Sequence, residues 1–351
     1  MNRMALGAAF AVTLAAAGPA AAQTYSIGTL PQGSLAYTVG AAVARVVTEE
    51  TGLQMRIVPA GGPDATIPQV QMGDLEFSIA SSDMVAAAFA GSDLFAGHKM
   101  DGLRVVANLL PFSSGFIVRA DSDIRALADL KGKRVAGQFP QQRVLANYEA
   151  STLATVGMSL DDVTVVPVPN GIRGVEAFMS GSVDAAIFSP GSGIVSQADA
   201  SVGGVRFLGV PDTEEADETI RKMTPGAYVA TVAPRPNRPG IEGPTPMMSG
   251  TFVLFAGPQV SDEVVAKVAQ AIWEKREALV GIFPGFREMT GALGVDQARL
   301  FTTVFMLGAF LAGLGIGTQA CQQPAISNRP ASAATEQRRA GGHDTNPLHR
   351  G

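Results

Sequence analysis

Residues 25–47, YSIGTLPQGSLAYTVGAAVARVV, give the clearest local indication of how this chain folds. It begins with a short apolar run typical of a β-strand, continues through a polar turn, and ends with apolar residues at helical spacing. The pattern predicts a strand, a loop and a helix whose N-cap is Ser34. The first N–H groups of such a helix have no partner inside it, and together with the helix dipole they favour an anion in the loop. We therefore expect this stretch to form one side of a ligand-binding cleft.

Composition and charge exclude several classes of protein. The chain has 351 residues, of which 46% are hydrophobic and 16% charged, so it is long enough for two globular domains. The net charge of −5 and the pI near 5.3 argue against a nucleic-acid partner, which needs a basic surface. The single cysteine, Cys321, rules out an internal disulfide. No grouping of His, Cys and carboxylates has the spacing of a metal site, so we expect neither a metal nor another cofactor.

The N-terminus has the features of a secretory signal peptide over residues 1–22. Arg3 supplies the positive charge, residues 4–17 form an apolar core, and Ala20-Ala21-Ala22 is the small-residue cleavage site. The apolar core is shorter than the ~20 residues that a membrane span needs, which argues against an uncleaved anchor. We expect cleavage before Gln23 and export of the mature chain.

Two segments of the chain repeat the same order of residue types. Residues 72–81, MGDLEFSIAS, match residues 180–189, SGSVDAAIFS, and each segment leads through a buried-type strand into a loop and a new helix. Two tandem units of alternating strands and helices predict an α/β fold of two lobes with mainly parallel sheets. Ligands bind such sheets at the carboxyl ends of the strands, beside helix N-termini. The alternative is that any two α/β units share such a pattern without sharing a site.

The order of these units predicts the domain boundaries. The first lobe comprises residues 23–116 and 214–299, and the second lobe comprises residues 117–213. Residues 103–118 predict two strands around residues 111–115, where the chain crosses to the second lobe, and residues 223–234 and 247–256 predict strands that return to the first lobe.

The C-terminal region has a different character. Residues 300–317, LFTTVFMLGAFLAGLGIG, carry no charge and weakly resemble a short piece of a branched-chain amino-acid ABC permease. A membrane tether, a buried terminal helix and an aberrant gene end are all consistent with this segment. We expect residues 318–351, which are largely polar and small, to form a disordered tail.

Several short motifs occur in a fixed order along residues 25–290: Ile27-Gly28-Thr29 with Tyr37 in the next helix, Gly61-Gly62 before a helix, and residues 73–79, 82–83, 119–124 and 129–135. Through these motifs, residues 25–290 resemble the TAXI-type solute-binding subunits of TRAP transporters. The resemblance implies a periplasmic protein with a two-lobed, type II-like periplasmic-binding-protein fold and a hinge between the lobes. It also implies a small anionic or zwitterionic ligand, a glutamate-like amino acid or a dicarboxylate, that is delivered to the membrane permease subunit of a TRAP transporter.

The chain departs from that family at three places. Ala36 stands where the family usually has a second tyrosine beside Tyr37, and the family's C-terminal His-Pro-Gly-Ala segment is absent from the sequence. Residues 137–142, GQFPQQ, stand where the family has a small loop of Gly-Ser-Gly-Thr type. We expect the longer side chains of this loop to make the pocket richer in amides and narrower.

The candidate ligand-binding residues lie in loops that follow predicted strands. A helix N-terminus contributes ~0.3–1 kcal/mol and about 2 at most, whereas a micromolar ligand needs about −8 kcal/mol. Hydroxyl groups and a bidentate arginine must therefore converge on the ligand. Arg143 and Arg173 are the two candidates for this clamp, and the alternative for each is an ordinary surface arginine. Asp83 suits a ligand amino group if it faces the ligand, and otherwise only caps its helix. The complete set is Thr29, Tyr37, Gly61, Gly62, Ser81, Ser82, Asp83, Gln138, Phe139, Gln141, Arg143, Arg173 and Gly191.

The sequence contains no signature of catalysis that we can identify. It has no Gly-x-Ser-x-Gly or Ser-x-x-Lys motif, no P-loop and no Rossmann glycine spacing, and His98 lies on a predicted surface turn. We expect a monomeric binding protein that is not an enzyme. The alternatives are a periplasmic enzyme or sensor domain on the same two-lobed fold, or the binding protein of an ABC importer.

Overall fold

The computed structural model describes residues 23–291 of the chain. Within these residues the strands are β1 (Thr24–Thr29), β2 (Gln54–Pro59), β3 (Phe77–Ser81), β4 (Arg104–Arg119), β5 (Arg134–Gln138), β6 (Thr164–Val168), β7 (Ala186–Phe188), β8 (Val205–Phe207), β9 (Tyr228–Val232) and β10 (Thr245–Ala256). The helices are α1 (Leu35–Thr51), α2 (Pro63–Met72), α3 (Ser82–Ala90), α4 (Val144–Ala154), α5 (Gly171–Met179), α6 (Gly193–Val202), α7 (Glu214–Met223), α8 (Asp262–Glu274), α9 (Arg276–Ile282) and α10 (Arg287–Gly291). The predicted signal peptide, the apolar segment 300–317 and the predicted tail 318–351 lie outside the described residues.

The strand, loop and helix predicted at residues 25–47 are confirmed. β1 buries Tyr25 and Ile27, and α1 follows after a turn. Ser34 caps α1, because its Oγ accepts a hydrogen bond from the N–H of Tyr37 at 3.1 Å. The helix ends at Gly52, whose φ of 74° lies in the left-handed region that ends many helices. Because α1 follows β1 after a short turn, the helix begins at the carboxyl end of that strand. The apolar face of α1 packs against β2 and α8.

The sheet of the first lobe combines parallel and antiparallel strands. β1 pairs in parallel with β2 and β3, whereas β10 pairs antiparallel with β3, β4 and β9. β10 therefore lies between β3 and β4 in the middle of the sheet. The expectation of mainly parallel sheets is wrong for the described residues, because β10 enters the sheet after the chain returns from the second lobe and runs against both neighbours.

β4 is a single strand of 16 residues that passes through both lobes. Residues 104–114 pair with β10, and residues 115–119 pair antiparallel with β7 and β8. The prediction of two strands around residues 111–115 is therefore wrong. Pro111, opposite Thr251, is tolerated because this part of β4 pairs only with β10, among the strands described, and proline is accepted at such a free edge.

The second lobe is built around a smaller group of strands. β5 and β6 form a parallel pair, and a bridge between Val135 and Ala185 connects β5 to the segment that leads into β7. α4 and α5 pack against β5, and α6 follows β7. The predicted two-lobed α/β fold is confirmed, while the residue boundaries assigned to each lobe stay a prediction.

The hydrophobic core is continuous through both lobes. Phe77 and Phe255 are fully buried in the first lobe, and Phe116 is fully buried where β4 enters the second lobe. Within residues 23–291, no helix combines the length and the apolar character that crossing a membrane requires.

Candidate ligand-binding site between the lobes

A cavity of about 50 Å³ lies where the two lobes meet. We call it the interlobe cavity. The loop between β1 and α1, the end of β3, the start of α4 and the end of β7 contribute its walls, and Phe112 and Phe252 from the two long strands line it as well. Its walls are mostly apolar, and none of the described residues that line it is charged. The polar lining residues are Ser34, Ser81, Ser114, Gln142, Tyr148 and Ser189.

The hydroxyl groups of this cavity differ in how they are used. The Oγ of Ser34 is occupied by the cap of α1. The Oγ of Ser81 makes no capping bond to α3, although Ser81 stands at its N-cap, and it accepts a hydrogen bond from the hydroxyl of Tyr148 at 3.1 Å. Ser114 is only 2% exposed, and its Oγ has no hydrogen-bond partner among the described residues. A buried hydroxyl normally has a partner, so Ser114 is suited to a ligand or a water molecule.

A hydrogen-bonded group joins the lobes beside this cavity. The hydroxyl of Tyr148, on α4, lies 3.1 Å from Oδ2 and 3.3 Å from Oδ1 of Asp83, on α3. We call Ser81, Asp83 and Tyr148 the interlobe latch. Burial raises the pKa of Asp83 above its ordinary value, and burial followed by the charge of Asp83 raises the pKa of Tyr148 well above its ordinary value. Asp83 does not line the cavity, because its carboxylate faces Tyr148 and the N–H groups at the start of α3.

Further polar contacts join the lobes at the edge of the cavity. Arg143 Nε lies 3.1 Å from Oδ2 of Asp64, and the N–H of Ile194 donates to the carbonyl of Gly33 at 3.1 Å. Arg173 instead pairs with Glu176 on its own helix. Neither candidate arginine lines the interlobe cavity in this structure. Their proposed role as a clamp stays a prediction.

The structure brings only part of the predicted set to the cavity wall. Ser81 lines the interlobe cavity, and Ser82 and Asp83 form the first turn of α3 behind it. Thr29 is buried, and its Oγ1 donates to the carbonyl of Leu30 at 3.0 Å. Tyr37 is half-buried in the first turn of α1.

Gly61 and Gly62 let the loop of the second lobe approach the first. A Cβ built on Gly61 would lie 2.8 Å from Cβ of Gln141, and one built on Gly62 would lie 2.6 Å from the Gln141 carbonyl oxygen. The side-chain oxygen of Gln141 accepts from the amide of Asn170 at 3.2 Å. These glycines and Gln141 therefore form a lobe-to-lobe contact beside the cavity.

The loop at residues 137–142 has a strained backbone. Gln138 has a φ of 66° and Phe139 a φ of 43°, both in the left-handed region that favours glycine. Phe139 is fully buried within the second lobe and does not line the cavity. Gln142 belongs to the loop that we expected to line the pocket, although it is not among the individually predicted residues; it lines the cavity, and its side-chain oxygen accepts from the N–H of Gly171 at 3.1 Å. Strain of this kind often accompanies a functional loop.

Other lining residues were also missed by sequence reasoning. Tyr148 lies inside a helix, where a tyrosine has no distinguishing pattern. Phe112 and Ser114 fall in the segment that we interpreted as a crossing between two strands. Only Ser189 had a signal, because it ends the strand in the repeat of residues 72–81.

A second, larger cavity of about 300 Å³ adjoins the first, and Leu35 and Phe112 line both. We call it the arginine-lined cavity, because Arg235 and Arg238 contribute to its wall. Gly191, a predicted ligand residue with a φ of 79°, lines this cavity and not the smaller one. Within the described part of the chain, no group of three or more His, Cys, Asp or Glu residues could hold a metal ion.

Comparison with protein families gives a match over residues 27–298, to the NMT1-like family. The chain belongs to the NMT1-like family. The matched residues of this NMT1-like chain span both lobes and include the loops that form the interlobe cavity.

Solved structures with a related fold are distant in sequence. One is described as a periplasmic transporter, with 16% identity, a TM-score of 0.49, and coverage of 74% of this chain and 82% of that chain. Another is the substrate-binding protein of an amino acid ABC transporter, with 12% identity, a TM-score of 0.46, and coverage of 75% and 100%. A third is the alkanesulfonate-binding protein SsuA from Xanthomonas axonopodis pv. citri bound to MOPS, with 17% identity, a TM-score of 0.43, and coverage of 82% and 79%.

Proposed function

We propose that this chain is an extracytoplasmic solute-binding receptor. Its two lobes close on a small anionic or zwitterionic metabolite, a glutamate-like amino acid or a dicarboxylate, and deliver it to a membrane transporter. The observation that carries this proposal is the interlobe cavity, to which both lobes contribute loops at the carboxyl ends of their strands. Membership in the NMT1-like family and the predicted signal peptide support it.

The contacts between the lobes are of the kind that a reversible closure needs. The interlobe latch, the ion pair between Arg143 and Asp64 and the backbone bond from Ile194 to Gly33 are polar contacts that can break and form again. Each exists only while the lobes touch. A solute that contacts both lobes would favour this closed state over an open one, with β4 and β10 acting as the hinge.

Binding fits the cavity better than catalysis does. A serine acts as a nucleophile only when a base or another activating group stands beside it. The described residues around the interlobe cavity include four serines but no histidine, lysine or cysteine. We therefore propose that these hydroxyls serve as hydrogen-bonding groups for a solute.

The membrane partner in this proposal is the permease subunit of a TRAP transporter. The resemblance of residues 25–290 to TAXI-type subunits favours this partner over an ABC importer. An ABC importer would make the same demand on the receptor, which is a closed state with bound solute.

The test is a binding screen by calorimetry and thermal unfolding with glutamate, glutamine, 2-oxoglutarate and succinate. A solute that binds only the folded chain stabilises it by about 2.7 kcal/mol when present at 100 times its Kd. We expect at least one compound to bind one-to-one, unmodified, with a raised unfolding temperature. Replacement of Ser114 by alanine should weaken that binding, and replacement of the exposed Met72 should not. Turnover of a compound without stoichiometric binding would contradict the receptor function.

A further inference from the structure

The arginine-lined cavity is the larger of the two spaces at the lobe boundary. Its volume of about 300 Å³ is at the lower end of the range for small-molecule sites, whereas the interlobe cavity of about 50 Å³ has room for only a few atoms. The two share the side chains of Leu35 and Phe112. Pro190 and Gly191 bring the second lobe to the wall of the larger cavity. Leu35 and Phe112 therefore lie at the boundary between the two spaces.

Two arginines share one carboxylate in this wall. Arg235 Nη1 lies 3.0 Å from Oε1 of Glu288, and Arg238 Nη2 lies 2.6 Å from the same oxygen. The arginine side chains are 38% and 16% exposed, and that of Glu288 is 22% exposed. Two positive charges face one negative charge, so this part of the wall has an excess of one positive charge.

The donors at this position exceed what Glu288 can accept. Each guanidinium carries five N–H donors in a planar fork, and both arginines use the same oxygen of Glu288. A carboxylate from a ligand would find the geometry of a bidentate partner here. Tyr228, Thr231 and Asn237 add neutral polar groups to the same wall.

We propose that Arg235 and Arg238 form the anion subsite of the cleft, where a carboxylate of the solute binds the two guanidinium groups. The rest of the solute points past Leu35 and Phe112 toward the serines of the interlobe cavity. Glu288 competes with the solute for these arginines and holds them in place when the solute is absent. This assignment rests on the proposed receptor function. It gives Arg235 and Arg238 the clamp role for which the sequence analysis had considered Arg143 and Arg173.

The alternative is that the three side chains only anchor α10 to the segment after β9. The two interpretations predict different effects of one variant, Glu288→Gln, on the affinity for an acid. An anchoring ion pair loses its function when either partner is neutralised, so Glu288→Gln would weaken the fold and would not improve binding. An anion subsite gains affinity when its competing carboxylate is removed, so Glu288→Gln would strengthen binding of an acid.

The experiment measures the Kd of glutamate and of 2-oxoglutarate by calorimetry for the full chain and its variants. We expect Arg235→Gln and Arg238→Gln each to weaken binding at least tenfold, which is about 1.4 kcal/mol, and Glu288→Gln to strengthen it at least threefold. Arg221→Gln is the matched control, because Arg221 pairs with Asp217 on its own helix and does not line the cavity. Urea unfolding of each variant separates lost affinity from lost folding.

The possible outcomes separate this assignment from the receptor function. If the acids bind and none of the three variants shifts their Kd, the anion subsite is overturned and the receptor stands. If only an uncharged solute such as glutamine binds the wild-type chain and Ser114→Ala weakens it, the subsite is again overturned while the receptor stands. If no compound of the panel binds the wild-type chain, both are overturned.

Discussion

The interlobe latch gives the sharpest test of the packing between the lobes. Tyr148→Phe removes one hydroxyl and keeps the ring, whose centroid lies 6.2 Å from that of Phe112. The hydroxyl contacts Ser81 and both carboxylate oxygens of Asp83, and Asp83 is only 8% exposed. The variant therefore leaves a buried carboxylate without its donor from the second lobe.

The magnitude depends on the charge of Asp83. A hydrogen bond to a charged group contributes about 1.5–3 kcal/mol, and one between neutral groups about 0.5–1.5 kcal/mol. Burial raises the pKa of Asp83 above 3.8 in the folded state. Between that value and the raised one, the folded state keeps a proton that the unfolded state has lost, so the free energy of unfolding falls as pH rises. Loss of the Tyr148 donor disfavours the charged form and raises this pKa further, which widens the range of falling stability.

Urea unfolding at pH 4 and pH 8 measures the effect. We expect Tyr148→Phe to lower the free energy of unfolding by at least about 0.5 kcal/mol at both pH values and by more at pH 8 than at pH 4, because the loss grows toward about 1.5–3 kcal/mol as Asp83 becomes charged. Tyr37→Phe is the control, since the hydroxyl of half-buried Tyr37 makes no hydrogen bond with any residue in the described range. A loss below 0.5 kcal/mol at pH 8, or the same loss at both pH values, would refute the reasoning.

Two further predictions concern the interior of the second lobe. Burial raises the pKa of Glu149 well above 4.5, so the free energy of unfolding falls as pH rises above 4.5. Because Glu149→Gln removes this loss, the difference in urea midpoint should grow in favour of the variant from pH 5 to pH 8. Parallel pH profiles of the two proteins would contradict this prediction. Gly137→Ala would put a methyl group 2.7 Å from Cγ1 of Val165 and 3.0 Å from Oε2 of Glu149, and it should lower the free energy of unfolding by about 1–3 kcal/mol in the same assay. Gly243→Ala is the control, because a Cβ there would meet no atom within 4 Å, and it should change the free energy of unfolding by no more than about 0.5 kcal/mol.

Local features of the fold were predictable from the sequence. The first strand, loop and helix depend on a hydroxyl cap at Ser34 and on apolar residues at helical spacing, both of which act within a few residues. The two-lobed α/β fold followed from a repeat that is visible in the chain. Non-local pairing was not predictable in this way. The central position of β10 and the continuity of β4 through Pro111 depend on partners more than 100 residues apart.

The residues of the candidate site likewise divide into those that a local sequence pattern indicates and those that depend on distant partners. Ser81 and Gly191, which line the two cavities, could be predicted as candidates because each follows a predicted strand, and such positions lie at the carboxyl end of a sheet. Tyr148 and Arg238 were not found, because nothing near them in the sequence distinguishes them from an interior aromatic residue and a surface cation. They reach the lobe boundary through the packing of α4 and through the segment that follows β9.

The central position of β10 also determines the order in which the chain can fold. During synthesis the first three strands are complete long before residues 245–256 exist, and the edge of β3 that β10 will cover stays open. The second lobe, whose strands β5 and β6 lie close together in the sequence, can form its own pairing earlier. The first three strands therefore lack this partner until β10, the last of the described strands, has been made, and in that interval the open edge of β3 is exposed to chaperones and to aggregation.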